Sequence, residues 1–141
     1  MLEMNSKRGF RFTYFVLPIV LFAGMIYYVS SIPSVAVPSL GIDFEDKLIH
    51  IVVYFVFGWL LIRALHFGKQ EPISKKILIF SVILGLLYGL SDELHQYFIP
   101  GRFSEFWDWL ADGIGILLGI EFYRRFYKVE LQRLNIPLKQ R

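Results

Sequence analysis

Between positions 91 and 112 the chain runs SDELHQYFIPGRFSEFWDWLAD, setting Asp92, Glu93, His95, Gln96, Arg102, Asp108 and Asp112 between two strongly apolar runs. Crowded carboxylates in a poorly solvated setting differ in proton affinity, which acid–base chemistry needs. Glu93 and Asp108 are therefore candidates for a catalytic carboxylate pair, and His50, from an earlier segment, for the acid or base beside them. Arg102 offers a planar fork of donors suited to a phosphate or carboxylate. Lys47, Tyr54, Gln96, Arg102 and Asp112 are expected to contact a bound substrate. A divalent metal, Mg²⁺ or Zn²⁺, could be held by His50, Glu93, Asp108 and Asp112, although no recognised ligand spacing marks such a site and the cofactor stays undetermined.

Something must position these groups, and composition says what. Of 141 residues, 55% are hydrophobic, 18% aromatic and only 19% charged, with mean hydropathy +0.50. Soluble domains carry about a quarter charged residues and do not gather their apolar ones into long runs. Length favours one domain. With no cysteine, disulfides, thiolate metal sites and a cysteine nucleophile are excluded. The net charge is +3, but no soluble basic face exists to meet nucleic acid, and none is expected as a partner.

Four spans are expected, at about 12–31, 47–66, 77–99 and 105–123, each near the roughly 20 residues that cross a hydrocarbon core. The first is uncharged, tolerates Pro18 as membrane helices do, and exceeds the apolar length of a signal peptide, so it is expected to be retained. Pro33, Pro38 and Gly41 break the following loop, and Asp43 with Asp46 opens the second helix. Pro100–Gly101 marks a short turn, which makes the third and fourth helices antiparallel neighbours. Ser104 is the expected N-cap of the fourth, with Trp107 and Trp109 at the membrane–water boundary. Residues 124–141 form a basic tail whose Phe122, Phe126, Val129 and Leu134 recur at helical spacing, as in a helix lying on the membrane surface. The fold class is all-α: a membrane-spanning four-helix bundle. Lysine and arginine crowd the N-terminal tail, the loop from 63 to 76 and the C-terminal tail, so both termini are expected in the cytoplasm and the protein in the cell membrane.

That topology gathers the polar residues at the outer leaflet. Lys47, His50 and Tyr54 share a helix face; Gly85, Gly89, Glu93 and Gln96 form a stripe on the third helix, and Asp108, Asp112, Gly115 and Gly119 one on the fourth. Glycines four apart let membrane helices approach closely, so the acids in line with them face a helix interface. Facing lipid at the bilayer centre would cost each charge about 3 kcal/mol. A shallow pocket open to the outer face is the expectation. A purely structural account stands beside it: Asp46 and Glu105 satisfying helix N-termini, Arg102 pairing with Asp108, Lys47 with Asp92. For Asp92 the structural role is the expectation, and His95 and His66 are taken as interfacial.

Three segments carry a family resemblance: DKLIHIVVYFVFGWLL (46–61), DELHQYFIPGR (92–102) and DWLADGIGILLG (108–119). They resemble the VanZ-like family of small bacterial integral membrane proteins, with its DK-x-x-H-x-x-x-Y, E-x-x-Q-x-x-x-P-x-R and D-x-x-x-[ND]-x-x-G-x-x-x-G patterns. The family more often has asparagine where this chain has Asp112, which adds a negative charge here. The family is named for a protein associated with resistance to the glycopeptide teicoplanin. The resemblance does not supply a molecular activity; the polar residues themselves favour a pocket binding a lipid head group or lipid-linked envelope precursor, with membrane lipids as partners and low-level glycopeptide resistance arising from altered access to the antibiotic's target. The alternative is a membrane-embedded acid–base or metal-assisted hydrolase or transferase on a lipid-linked substrate. The oligomeric state is open.

Overall fold

The computed structural model describes residues 10, 12–33, 45–67 and 72–134. Four helices follow in order: α1 (Leu17–Ser30), α2 (Glu45–His66), α3 (Lys75–Tyr97) and α4 (Phe106–Arg133). Among the described residues there is no strand. Pro18 lies at the start of α1 and lacks the N–H that would meet the Tyr14 carbonyl four residues earlier, and Arg63 Nη1 donates to that carbonyl instead at 2.7 Å. The apolar helical stretch reaches back to Phe12, giving 19 residues to Ser30. Ser74 caps α3 by accepting from the Ile77 N–H at 3.3 Å. Between α3 and α4, Gly101 takes φ 78°, a left-handed conformation that glycine adopts without strain. Asp43 lies outside the described residues.

The spans Phe12–Ser30, Glu45–His66 and Lys75–Tyr97 are long and apolar enough to cross a membrane. Their outward surfaces are apolar too: Val20, Leu21, Val52, Ile79 and Leu87 all stay exposed, as do Ile114, Leu117 and Leu118 on α4. Water does not sustain an apolar surface of that extent, whereas lipid tails solvate it. This is an all-helical, membrane-spanning bundle.

Contacts along the helices give their directions. From α2 to α4, His50 meets Asp112 and Arg63 meets Glu130, so the two run parallel. From α3 to α4 the order reverses: Trp109 donates its indole N–H to the Leu86 carbonyl, and Glu105 meets Glu93. The third and fourth helices are thus antiparallel neighbours, as the short turn implies. The closest backbone approach, however, is between α2 and α4. A Cβ at Gly115 would lie 2.5 Å from the Ile51 carbonyl oxygen, one at Gly119 would fall on the Phe55 carbonyl, and one at Gly58 would lie 2.6 Å from the Ile116 oxygen. The α3 glycines accommodate side chains instead: Gly85 faces Ile116, and Gly89 faces Asp112 and Tyr54. Tyr54, Phe57, Ile62, Ile116, Ile120 and Tyr123 fill the core between these helices.

Two local expectations are corrected. Ser104 does not cap α4. The N-cap is Glu105, in extended backbone and without a side-chain cap bond of its own. Beyond position 123, moreover, the chain continues as part of α4 to Arg133. Its buried stripe is Tyr123, Tyr127 and Leu131, while Phe122, Phe126 and Val129 point outward. Tyr123 reaches inward to set its hydroxyl 3.1 Å from His66 Nδ1, and Tyr127 lays its ring against the same imidazole.

Candidate functional site

The first two turns of α2, the last two of α3 and the first two of α4 meet at one end of the bundle, and their polar side chains turn inward. Asp92, Glu93, Gln96, Asp108 and Asp112 are all buried, Asp112 completely. The glycines explain this: with no side chain at Gly89, α3 leaves room for Asp112 Oδ2, which a Cβ would approach to 3.0 Å.

His50 lies at the centre. Its Nδ1 shares a hydrogen bond of 2.8 Å with Asp112 Oδ1 and stands 4.0 Å from Glu93 Oε1. Its Nε2 faces Asp46 Oδ1 at 3.9 Å. The ring stacks parallel to Tyr54, with centroids 6.3 Å apart. Glu93 accepts the Glu105 N–H through Oε2 at 3.2 Å and so anchors the start of α4, where the helix dipole favours an anion. Lys47 Nζ reaches Glu105 Oε2 at 2.9 Å and Asp108 Oδ1 at 3.0 Å. The anticipated Lys47–Asp92 pair is therefore replaced by a clamp between α2 and α4. Arg102 does not take up Asp108 either. Its Nε and Nη2 donate to the Ile32 and Val29 carbonyls at 3.1 and 3.0 Å, covering the open C-terminal end of α1.

Asp92, expected to play only a structural part, is buried inside the site. It accepts from the Tyr54 hydroxyl at 3.1 Å and from Gln96 Nε2 at 3.3 Å. The available signal was spacing, since Asp92 stands three residues after Gly89 and four before Gln96. His95 stays half-buried outside the cluster, stacked on Tyr27 and bonded to Ser31 Oγ at 2.9 Å.

Beside the cluster lies a cavity of about 160 Å³. Its lining combines the polar Ser30, Asp46, His50, Tyr54, Asp92, Gln96 and Arg102 with the apolar Met25, Ile26, Val29, Ile49 and Val53. Lys47 takes no part in its lining. Among the described residues, two buried carboxylate oxygens have neither a hydrogen-bond partner nor a lysine or arginine in ion-pair range: Glu93 Oε1 and Asp112 Oδ2. Asp108 Oδ1 also lacks a hydrogen bond but has the Lys47 ammonium against it. Ligand atoms of His50, Glu93 and Asp112 lie within 4.8 Å of one another, as do those of Asp46, His50 and Asp108, so either group could hold a metal ion.

The opposite end of the bundle holds a second buried polar cluster that sequence reasoning passed over. His66, expected at the interface, is 1% exposed, with Nδ1 3.1 Å from the Tyr123 hydroxyl. Arg63 donates from Nε to Glu130 at 2.7 Å and from Nη1 to the Tyr14 carbonyl at 2.7 Å, with Tyr14 and Phe15 rings against its guanidinium.

Comparison with known proteins accords with this arrangement. A protein of the fission yeast Schizosaccharomyces pombe, described only as uncharacterized, is 28% identical over 101 residues, which is 68% of this chain and 60% of that protein. The chain thus spans about 60% of the length of the curated relative it matches. No solved structure matches it. The VanZ/LLP1 family model matches residues 5–127, a region containing all four helix starts and every residue of the polar cluster, and the chain belongs to the VanZ/LLP1 family.

Proposed function

We propose that this chain binds the polar head of a membrane lipid, or of a lipid-linked envelope precursor, in the cavity beside His50. The observation that carries this reading is the mixed lining: ionisable and amide side chains together with apolar α1 and α2 side chains around one cavity. A lipid at its glycerol level has that same mixture. At about 160 Å³ the cavity has room for about five waters at roughly 30 Å³ each, so it fits a head group and not a whole lipid. Arg102 supplies the cation for a phosphate, and Asp46 and Asp92 face an amine or hydroxyls. The acyl chains would leave past Met25 and Val29 into the bilayer.

The lysine and arginine distribution supports an orientation with both termini cytoplasmic and the polar end in the outer leaflet of the cell membrane. Holding an envelope precursor there would hinder a glycopeptide from reaching it, which is the form low-level teicoplanin resistance takes in this reading. The buried acids bordering the cavity favour a second reading, a hydrolase or transferase acting on the same head group.

The test is mass spectrometry of lipids that co-purify with the full chain in mild detergent. One head-group class should be enriched over the bulk membrane, and Val53→Trp, which fills the cavity, should abolish the enrichment. A lipid profile identical to the bulk membrane in the wild type, or unchanged by both Val53→Trp and Arg102→Ala, refutes binding. Conversion of the retained lipid on incubation, lost in Glu93→Gln, would establish the enzyme reading.

A further inference from the structure

We propose that His50, Glu93 and Asp112 form a binding site for a single divalent transition-metal ion, ligated by the imidazole Nδ1 and one oxygen from each carboxylate. This goes beyond the lipid-binding reading and does not depend on what fills the cavity.

Charge is the first argument. Asp92, Glu93, Asp108 and Asp112 are at most 6% exposed. Among the described residues, Lys47 is the one lysine or arginine ion-paired to this set. Four buried carboxyl groups beside one ammonium and one imidazole leave acids in excess of bases in a medium that solvates charge poorly. The deficit is not spread evenly. Asp92 has the Tyr54 hydroxyl and the Gln96 amide, and Asp108 has Lys47. The oxygens left without a hydrogen bond and without lysine or arginine are Glu93 Oε1 and Asp112 Oδ2. Glu93 Oε1 stands 4.0 Å from His50 Nδ1, while Asp112 Oδ2 belongs to the carboxylate whose other oxygen, Oδ1, meets that nitrogen.

Distance is the second. Zinc lies about 2.0–2.2 Å from nitrogen and carboxylate oxygen ligands in a tetrahedral arrangement, so two ligand atoms of one ion stand about 3.3–3.6 Å apart. Nδ1 to Glu93 Oε1 is 4.0 Å, and Nδ1 to Asp112 Oδ1 is 2.8 Å. All three ligand atoms fall within 4.8 Å of one another, so side-chain shifts of about an ångström bring the set to one ion. The ion takes the place of the proton that Nδ1 and Oδ1 share. Three helices supply one ligand each, and His50 also lines the cavity, so the ion borders it. One imidazole with two carboxylates selects ions of the Zn²⁺ or Mn²⁺ kind over Mg²⁺ and Ca²⁺, which prefer oxygen alone.

The experiment takes the full chain in detergent, stripped with chelator, and adds ZnCl₂, MnCl₂, MgCl₂ or CaCl₂ alone. Elemental analysis after gel filtration should find about one Zn²⁺ or Mn²⁺ per chain, and little Mg²⁺ or Ca²⁺. His50→Gln and Glu93→Gln should each weaken retention by at least about tenfold, while His95→Ala leaves it unchanged. Should those two variants fold poorly, pulsed electron paramagnetic resonance of the Mn²⁺-loaded wild type reads directly coordinated nitrogen without any substitution. A wild type that elutes free of all four metals overturns the proposal, as does Mn²⁺ bound without nitrogen, or undiminished retention in His50→Gln. Lipid enrichment surviving such a result would leave the head-group reading intact.

Discussion

His50 and Asp112 stand 62 positions apart in the chain and meet at 2.8 Å, joining the second turn of α2 to the second turn of α4. Asp112 has no exposed surface, so its charge depends on this partner. In chelator-treated protein, His50→Ala should therefore cost about 3–5 kcal/mol, the usual penalty for orphaning a buried charge. Asp112→Asn removes the charge and keeps the shape. In that background His50→Ala should cost much less, and thermal melts of the four proteins give the coupling energy directly. Additive losses would show that the two residues do not depend on each other.

The parallel contact of α2 with α4 rests on glycine. Gly119→Ala places a Cβ against the Phe55 carbonyl, and Gly115→Ala one against Ile51. Overpacking of backbone on backbone costs about 1–3 kcal/mol, more than the helix propensity that alanine returns. Gly24 has nothing within 4 Å of its Cβ position, so Gly24→Ala should be neutral or slightly stabilising. Melting temperatures in one detergent decide the comparison, and equal shifts at the three positions would contradict the packing.

Much of this was legible from spacing alone. The apolar runs marked the helices, and the glycine stripes announced that Glu93, Asp108 and Asp112 turn inward. What a one-dimensional stripe does not carry is its partner. Gly115 and Gly119 could have met α3, the sequence neighbour, but they meet α2, because only there do two backbones come together. Asp92 was misplaced for a related reason. A stripe drawn one residue wide through Gly89, Glu93 and Gln96 excludes it, whereas the buried face of α3 is wide enough to hold Asp92, Glu93 and Gln96 together. Ser104 looked like a cap by residue type, but the anion at the start of α4 comes from Glu93 across the turn, a contact no local pattern records.

Asp92 yields its own prediction. Tyr54→Phe removes the hydroxyl that donates to it at 3.1 Å and leaves Gln96 at 3.3 Å. The loss should be about 1–3 kcal/mol, as for a buried acceptor deprived of a partner. Tyr54→Phe combined with Asp92→Leu should recover part of it, since removing both partners relieves the unmet desolvation. If Tyr54→Phe is silent in denaturation, the hydroxyl is not what satisfies Asp92.

The far end of the bundle makes the reach of α4 testable. Arg63 is 5% exposed and binds Glu130, a residue beyond the span expected to end near position 123. Arg63→Ala should cost about 3–5 kcal/mol by leaving Glu130 partly buried without its cation. Arg63→Lys keeps the charge, but an ammonium cannot hold Glu130 and the Tyr14 carbonyl from a rigid fork or stack on the Tyr14 and Phe15 rings, so its loss should be intermediate. Ending the chain after Arg124 removes Glu130 together with buried Tyr127 and Leu131. That truncation should destabilise at least as much as Arg63→Ala, and adding Arg63→Ala to it should cost less than in the full chain, because the arginine no longer has its carboxylate. A truncated protein that melts like the full chain would mean that α4 beyond Arg124 contributes nothing to the fold, and that Arg63 is held by the Tyr14 carbonyl and the two rings alone.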